Sequence, residues 1–244
     1  MRDAGWVDHP ILDDEATWVE GREIDADQLA EFAGRMCYQS WERPNPQTAT
    51  NHGYLKHILE VGHESILEHS SATFYVAEVS RALSHELVRH RHLSFSQLSQ
   101  RFVDEADVIA IIPPAIEDAD ASALNGLKLS SAVGASMRHA QRFYGELVVN
   151  LIAQGFSRKQ AREAARCVLP NSTETRFVVS GNLRAWREVI LKRASAAADA
   201  EMQRFALAVL RHLQTLAPNT FQEFSCGDCE PLTATVSQLP RPTA

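Results

Sequence analysis

Apolar residues along this chain follow two alternating periods. Leu29, Phe32, Ala33 and Met36 recur at helical spacing, which predicts a helix over Asp27–Tyr38 capped by Asp27. Pro44 and Pro46 end it, and a second helix is predicted from about Gln47, with Tyr54, Leu55, Ile58, Leu59 and Val61 on its stripe and a stop at Gly62. Ala72, Phe74 and Val76 then alternate with Thr73 and Tyr75, predicting a strand over Ser71–Val79 before the helical period returns from Ser80 to His92. Val108–Ile112 reads as a short strand closed by Pro113 and Pro114, and Ala121–Ala153 as a long helix that Gly134 or Gly145 could break. Ser157 and Gln160 form a capping box for a helix ending before Pro170. A strand over Glu174–Ser180 follows, then helices over Asn182–Arg193 and Ala194–Leu216. Few strands among long helices predict an α+β fold: a single domain over 1–244 with a small, mainly antiparallel sheet and loosely ordered ends at 1–25 and 218–244.

Composition narrows the class. With 244 residues, 45% of them hydrophobic and 23% charged, the chain can bury one enzyme-sized core. Its 24 basic against 31 acidic residues give a formal charge of −7, which argues against a nucleic-acid partner. No apolar run reaches the roughly 18 residues of a membrane helix, so no membrane partner is expected. Asp3, Asp8, Asp13, Asp14 and Glu15 stand where an export signal would be basic and then apolar, and four cysteines are too few for a disulfide scaffold, so a cytoplasmic location is expected. All basic residues but Lys56, Lys128, Lys159 and Lys192 are Arg, a bias that suits fixed contacts to phosphate or carboxylate and equally fits a GC-rich genome.

Several familiar chemistries fail on spacing. His52, His57, His63, His69, His85, His90 and His92 crowd one region, yet His85 and His90 are five apart in sequence, about 140° around a helix, and Arg89 and Arg91 would repel a metal cation. No metal is expected. Cys226 and Cys229 form a lone CxxC pair in an unpatterned tail, and Cys37 and Cys167 fall in apolar helical patterns that predict burial. Neither a nucleophile elbow nor a glycine-rich phosphate loop is present. The dense segment is Arg89-His90-Arg91-His92-Leu93-Ser94-Phe95-Ser96-Gln97-Leu98-Ser99-Gln100-Arg101-Phe102. It holds three guanidinium groups, three serines and two glutamines without an acid, and its broken helical pattern would leave backbone N–H groups free, so a bound phosphate ester accounts for it. A basic loop pairing with carboxylates of this acidic chain is the alternative.

This segment resembles the signature of the flavin-dependent thymidylate synthases, the ThyX family. Arg89, His90, Arg91, Ser94, Ser99 and Arg101 occupy its fixed positions. The likeness extends through Gly62–His69, Ala165–Pro170, Asn182–Arg184 and Arg193–Ser195, covering roughly residues 28–216.

The resemblance implies synthesis of dTMP from dUMP, with 5,10-methylenetetrahydrofolate as carbon donor, NADPH as reductant and FAD relaying the hydride, in a homotetramer whose active sites lie at subunit junctions. It assigns Ser65, Arg89, His90, Arg91, Gln97, Asn182, Arg184 and Glu188 to the flavin. It assigns Glu86, Leu87, Val88, Arg89, Gln97, Leu98, Ser99, Gln100, Arg101, Arg166 and Arg193 to dUMP, with Ser99, Arg101 and Arg166 at the phosphate. Arg193 would lie against the pyrimidine, where a permanent cation favours ionised N3, and His63 would lie near folate and flavin. Read alone, Arg166 is one member of an exposed stripe with Arg158 and Arg162, Arg193 is a favourable charge at a helix C-terminus, and His63 caps a turn. Phe102 replaces the motif's closing Tyr, and Ser96 and Gln97 replace Asn and Glu. Glu188 stands where His or Asn is common, an acid that opposes the FAD phosphates unless Arg184 or Arg187 neutralises it. Two other readings share these residues: a nucleotide or RNA clamp without catalysis, and a flavoprotein with a different acceptor.

Overall fold

A computed structural model of the chain describes residues 25–42, 45–119, 122, 126–224 and 235–238. Helix α1 (Ala26–Tyr38) packs on α2 (Asn51–Glu60), whose entry is the short 3-10 turn Pro46–Thr48. Asp25 caps α1, its carboxylate accepting from Gln28 N at 2.7 Å. Asp27, the cap expected from sequence, is instead 3% exposed and accepts from Asn219 N, Thr220 N and Thr220 Oγ1 at 2.7, 2.9 and 2.5 Å. Burial pushes its carboxyl up from the ordinary range. Pro218–Phe224 is therefore packed rather than loose, with Phe221 fully buried.

Strand β1 (Ser71–Ser80) carries the expected alternation, burying Ala72, Phe74 and Val76. A bulge between Val76 and Val79 then inserts one residue. Glu78 takes it up with φ 57°, and the parity shift turns Val79 rather than Glu78 into the core. The other strands are β2 (Ser94–Gln97), β3 (Glu174–Asn182) and β4 (Thr235–Gln238), in the antiparallel order β2-β3-β1-β4.

Two strands were not anticipated. β4 lies in the C-terminal stretch expected to be loose and pairs with Phe74–Ala77. β2 occupies the motif segment read as a broken helix, and its register of Ser94 opposite Ser180 and Gln97 opposite Phe177 draws part of that backbone into the ladder instead of leaving it free for an anion. The converse holds for Val108–Ile112, which forms a single bridge, Ala110 to Thr173, between hydrogen bonds Ile111 N to Ser172 O and Glu174 N to Ile109 O.

The helices beyond β1 are α3 (Arg81–Leu87), α4 (Pro114–Glu117), α5 (Leu129–Ala153), α6 (Arg158–Ala165), α7 (Leu183–Arg193) and α8 (Ala200–Leu216). Among the described residues α5 begins at Leu129, shortly after Gly126 with its left-handed φ of 78°, and it runs unbroken through Gly134 and Gly145; Ala121, expected to open it, lies outside the described residues. α8 starts at Ala200 rather than Ala194 because α7 and α8 pack on each other, which requires a turn between them whatever the alanine propensity. The capping box at Ser157 and Gln160 forms as predicted. One core joins β1 and β3 to α7 and α8 through Phe74, Val179, Trp186, Val189, Phe205, Val209 and Leu213. Trp186 anchors it, stacking edge-on against Phe74 and donating Nε1–H to Ala72 O at 3.1 Å. Cys37 and Cys167 are exposed free thiols, not core residues, and the Cys226/Cys229 pair lies outside the described residues.

Candidate active site

The β1 bulge delivers Ser80 to the start of α3. Its hydroxyl accepts from Leu83 N at 3.0 Å, while its N–H and O–H donate to Glu201 at 2.7 and 2.6 Å. α3 carries Glu86 near its end, and a tight turn through His90 N to Leu87 O and Leu93 N to His90 O leads into β2. Arg89, Arg91 and His92 are exposed on this turn, with no ion pair of Arg89 or Arg91 among the described residues. Leu93 turns inward onto Gly181, where a Cβ would stand 2.4 Å from its Cδ2, so the close crossing of turn and β3 needs glycine.

Arg193, at the end of α7, meets this turn. Its Nε donates to His90 Nε2 at 3.0 Å and its Nη1 to Glu86 Oε2 at 3.0 Å. A ring nitrogen that accepts from a guanidinium is unprotonated. Burial, then the Arg193 charge, hold His90 below its ordinary 6.5, in keeping with that role. Glu86 and His90 thus fix two edges of the Arg193 guanidinium.

Beside this cluster lies a cleft of about 460 Å³ lined by Glu64, Glu68, His92, Asn182, Arg184, Ala185, Glu188 and Leu191. Asn182 caps α7, its Oδ1 accepting from Ala185 N at 2.8 Å, so the amide oxygen is committed to the helix. The carboxylates are answered in pairs: Arg184 Nη1 donates to Glu68 at 2.6 Å, and Lys192 donates to Glu188 one turn away. The partner of Glu188 is therefore Lys192, whose hydrogen bond holds the carboxyl below its ordinary range, rather than Arg184 or Arg187. Arg187 is 4% exposed and bonds Thr220 O and Glu223. His63 and Ser65, at and inside the 3-10 segment Glu64–His69, are exposed, and the His63 side chain makes no capping hydrogen bond.

A second cluster forms where β2 ends. Gln97 Nε2 donates to Ser84 Oγ at 3.0 Å and Thr175 Oγ1 at 3.1 Å, tying α3, β2 and β3 together. Leu98 N–H donates to Arg176 O, and Ser99 accepts from Phe102 N and Val103 N, so the chain turns back and presents Ser99 and Arg101. Arg101 Nε lies 3.0 Å from Glu163, and Arg162 donates to Phe102 O and Asp104, both at 2.7 Å. Arg166 is exposed near Arg81. Leu87 is fully buried and Gln100 5% exposed, so Leu87 can offer a ligand only its backbone. Val88 stays 43% exposed.

Sequence reading overlooked Arg81. A cation at the first position of a helix sits where the dipole favours an anion, and that misplacement is the signal for it. The clusters lie at opposite ends of α3, Arg81 with one and Glu86 with the other, and a helical rise of about 1.5 Å per residue separates those two Cα atoms by roughly 7–8 Å.

A family model described as "Thymidylate synthase complementing protein" matches residues 22–219. A flavin-dependent thymidylate synthase of Mycobacteroides abscessus is 53% identical over 196 residues, covering 80% of this chain and 78% of the relative. Those of Mycobacterium tuberculosis and Mycobacterium avium are 52% and 50% identical over 204 and 203 residues, with the same 80% and 78% coverage. The likeness spans both arginine clusters and the helices and strands that hold them, and on it the chain belongs to the family of flavin-dependent thymidylate synthases.

Proposed function

We propose that this chain catalyses the reductive methylation of dUMP to dTMP, taking its carbon from 5,10-methylenetetrahydrofolate and its reducing equivalents from NADPH. Turning a methylene into a methyl group requires a hydride, which no side chain can store, and bound FAD supplies that two-electron chemistry. The observation that carries the reading is Arg193, gripped by a neutral His90 and by Glu86 beside the exposed Arg89 and Arg91. Set against the pyrimidine, such a guanidinium lowers the cost of negative charge at N3 and enriches C5 for attack on the carbon donor.

The cleft suits FAD, because Glu68 and Glu188 are paired with Arg184 and Lys192 and Glu64 lies 4.0 Å from Arg187, while Arg89 and Arg91 stand ready for a diphosphate. Ser65, Arg89, His90, Arg91, Gln97, Asn182, Arg184 and Glu188 would line the flavin, and His63 would sit at the rim toward the folate. Glu86, Leu87, Val88 and Arg89 would line one side of dUMP and Gln97, Leu98, Ser99, Gln100 and Arg101 the other, with Ser99, Arg101 and Arg166 at the phosphate. Two arginine clusters separated on one chain suit a homotetramer in which neighbouring copies complete each site. The exposed thiols of Cys37 and Cys167 suit the reducing cytoplasm. Purified protein should absorb near 450 nm and oxidise NADPH with formation of dTMP only when dUMP and the folate are both present. Bound flavin with no dUMP-dependent product would overturn the assignment of the acceptor.

A further inference from the structure

The two ring nitrogens of His90 have different surroundings. Nε2 lies 3.0 Å from Arg193 Nε. A guanidinium keeps its protons and offers no lone pair, so in this contact Arg193 donates and the imidazole accepts. A neutral imidazole that accepts at Nε2 carries its single proton on Nδ1. The hydrogen bond thereby selects one tautomer, and that tautomer keeps a donor uncommitted: among the described residues no acceptor meets His90 Nδ1. Nor is this nitrogen sealed inside the protein, because it is absent from the buried side-chain atoms that lack a partner.

The chain holds the ring firmly in this pose. His90 N–H donates to Leu87 O at 3.0 Å and its carbonyl accepts from Leu93 N at 3.1 Å, so the turn after α3 fixes its backbone on both sides. Leu87 and Leu93 are themselves buried and anchor the turn. Arg193 closes the contact from the last residue of α7, its Nη1 held by Glu86 at 3.0 Å. The charged groups around the ring are Arg193, Lys192 and Glu188 from α7 and, through Arg193, Glu86 from α3, with Arg89, Arg91 and His92 beside it on its own turn. A second proton would have to enter at Nε2, where it would set N–H against N–H and cation against cation. Acidification therefore breaks the bond to Arg193 and leaves that guanidinium to Glu86 alone.

We propose that His90 is a positioning residue with two edges in use: through Nε2 it sets Arg193 for the pyrimidine of dUMP, and through Nδ1–H it donates to an acceptor atom of the bound flavin. One neutral imidazole then ties nucleotide and cofactor together, and dUMP binding weakens in acid. This rests on the reading above, which places Arg193 at the base and His90 at the flavin without joining the two.

Two substitutions separate the edges, because a Gln amide reaches the place of Nε2 and an Asn amide that of Nδ1. His90→Gln keeps an acceptor for Arg193 at every pH and gives up the donor. Its holoenzyme should release FAD about tenfold more readily on dilution, followed by flavin fluorescence. With FAD in excess, its loss of dUMP affinity between pH 8.0 and 5.5, measured by calorimetry, should be smaller than that of wild type by up to about tenfold. His90→Asn keeps the donor and gives up the acceptor, so it should retain FAD and bind dUMP about tenfold more weakly at both pH values. Loss of FAD alone in both variants, or of dUMP alone in both, would overturn the bridge. Should neither variant fold, 15N NMR of the wild-type imidazole at pH 7.5 decides: a proton on Nδ1 and none on Nε2 is expected, and a proton on Nε2 refutes the assignment. Wild-type protein that binds FAD but no dUMP would sink the reading underneath, whereas dUMP binding with the full acid response kept in His90→Gln sinks only the role of His90.

Discussion

His90 concentrates the logic of the site in one ring. It accepts from Arg193 only while neutral, and burial together with that guanidinium keeps it neutral below the usual 6.5. In the window between the depressed folded value and 6.5 the unfolded chain binds the additional proton, so His90 adds stability at neutral pH that is lost as the pH falls through that window. Asp27 and Glu105, both raised by burial, work in the opposite sense: their contribution is complete below the ordinary 3.8 and 4.5 and declines as pH rises through their folded values. Urea unfolding of wild type and His90→Gln at pH 7.5 and 5.5 should isolate the histidine. The variant is expected to lose less stability on acidification, by up to about 1.4 kcal/mol per pH unit, and equal slopes would show that His90 titrates normally. Much at this scale was legible in the order of residues, since spacing and composition single out Arg89, His90, Arg91, Ser99 and Arg101. Glu105 was not, because an acid four residues past Arg101 looks like any other in so acidic a chain until its burial is known.

Among the elements, β1 positions all the others. Its bulge keeps Val79 in the core and aims Ser80 at α3, at the expense of placing Glu78 in left-handed backbone. Replacing Glu78 with Val, whose branched Cβ resists positive φ, should cost about 1–2 kcal/mol, whereas Glu78→Gly should be nearly neutral. Chemical denaturation of the two variants measures the difference, and equal stabilities would show that the bulge relaxes. β1, β3, α7 and the capping box of α6 could be read in advance because each repeats one period or carries its own cap. β2 could not: Phe95 and Gln97 face inward against the exposed Ser94 and Ser96, but the inward glutamine hides the alternation, its amide being satisfied by Ser84 and Thr175 from elsewhere in the fold. The early start predicted for α8 failed for a related reason, since nothing local in Ala194–Asp199 announces that α7 must turn back onto it.

For the whole molecule, the separation of the two arginine clusters has a direct test. If neighbouring copies complete each site, mixing Arg101→Ala and Arg193→Ala proteins under conditions that exchange subunits should restore part of the activity that each has lost. Mixtures as inactive as the separate variants would instead confine the site to one chain. Distances of this kind are invisible in a linear sequence, as is the joining of its distant ends. Asp27 accepts three hydrogen bonds from Asn219 and Thr220, two from backbone N–H groups and one from the Thr220 hydroxyl, and Phe221 is sealed beneath them. A stop codon placed at the apparent end of α8 would strip a sunken carboxylate of all three donors and open the floor beneath α1. Anyone shortening this gene or attaching a reporter to its product should therefore leave everything through Phe224 in place.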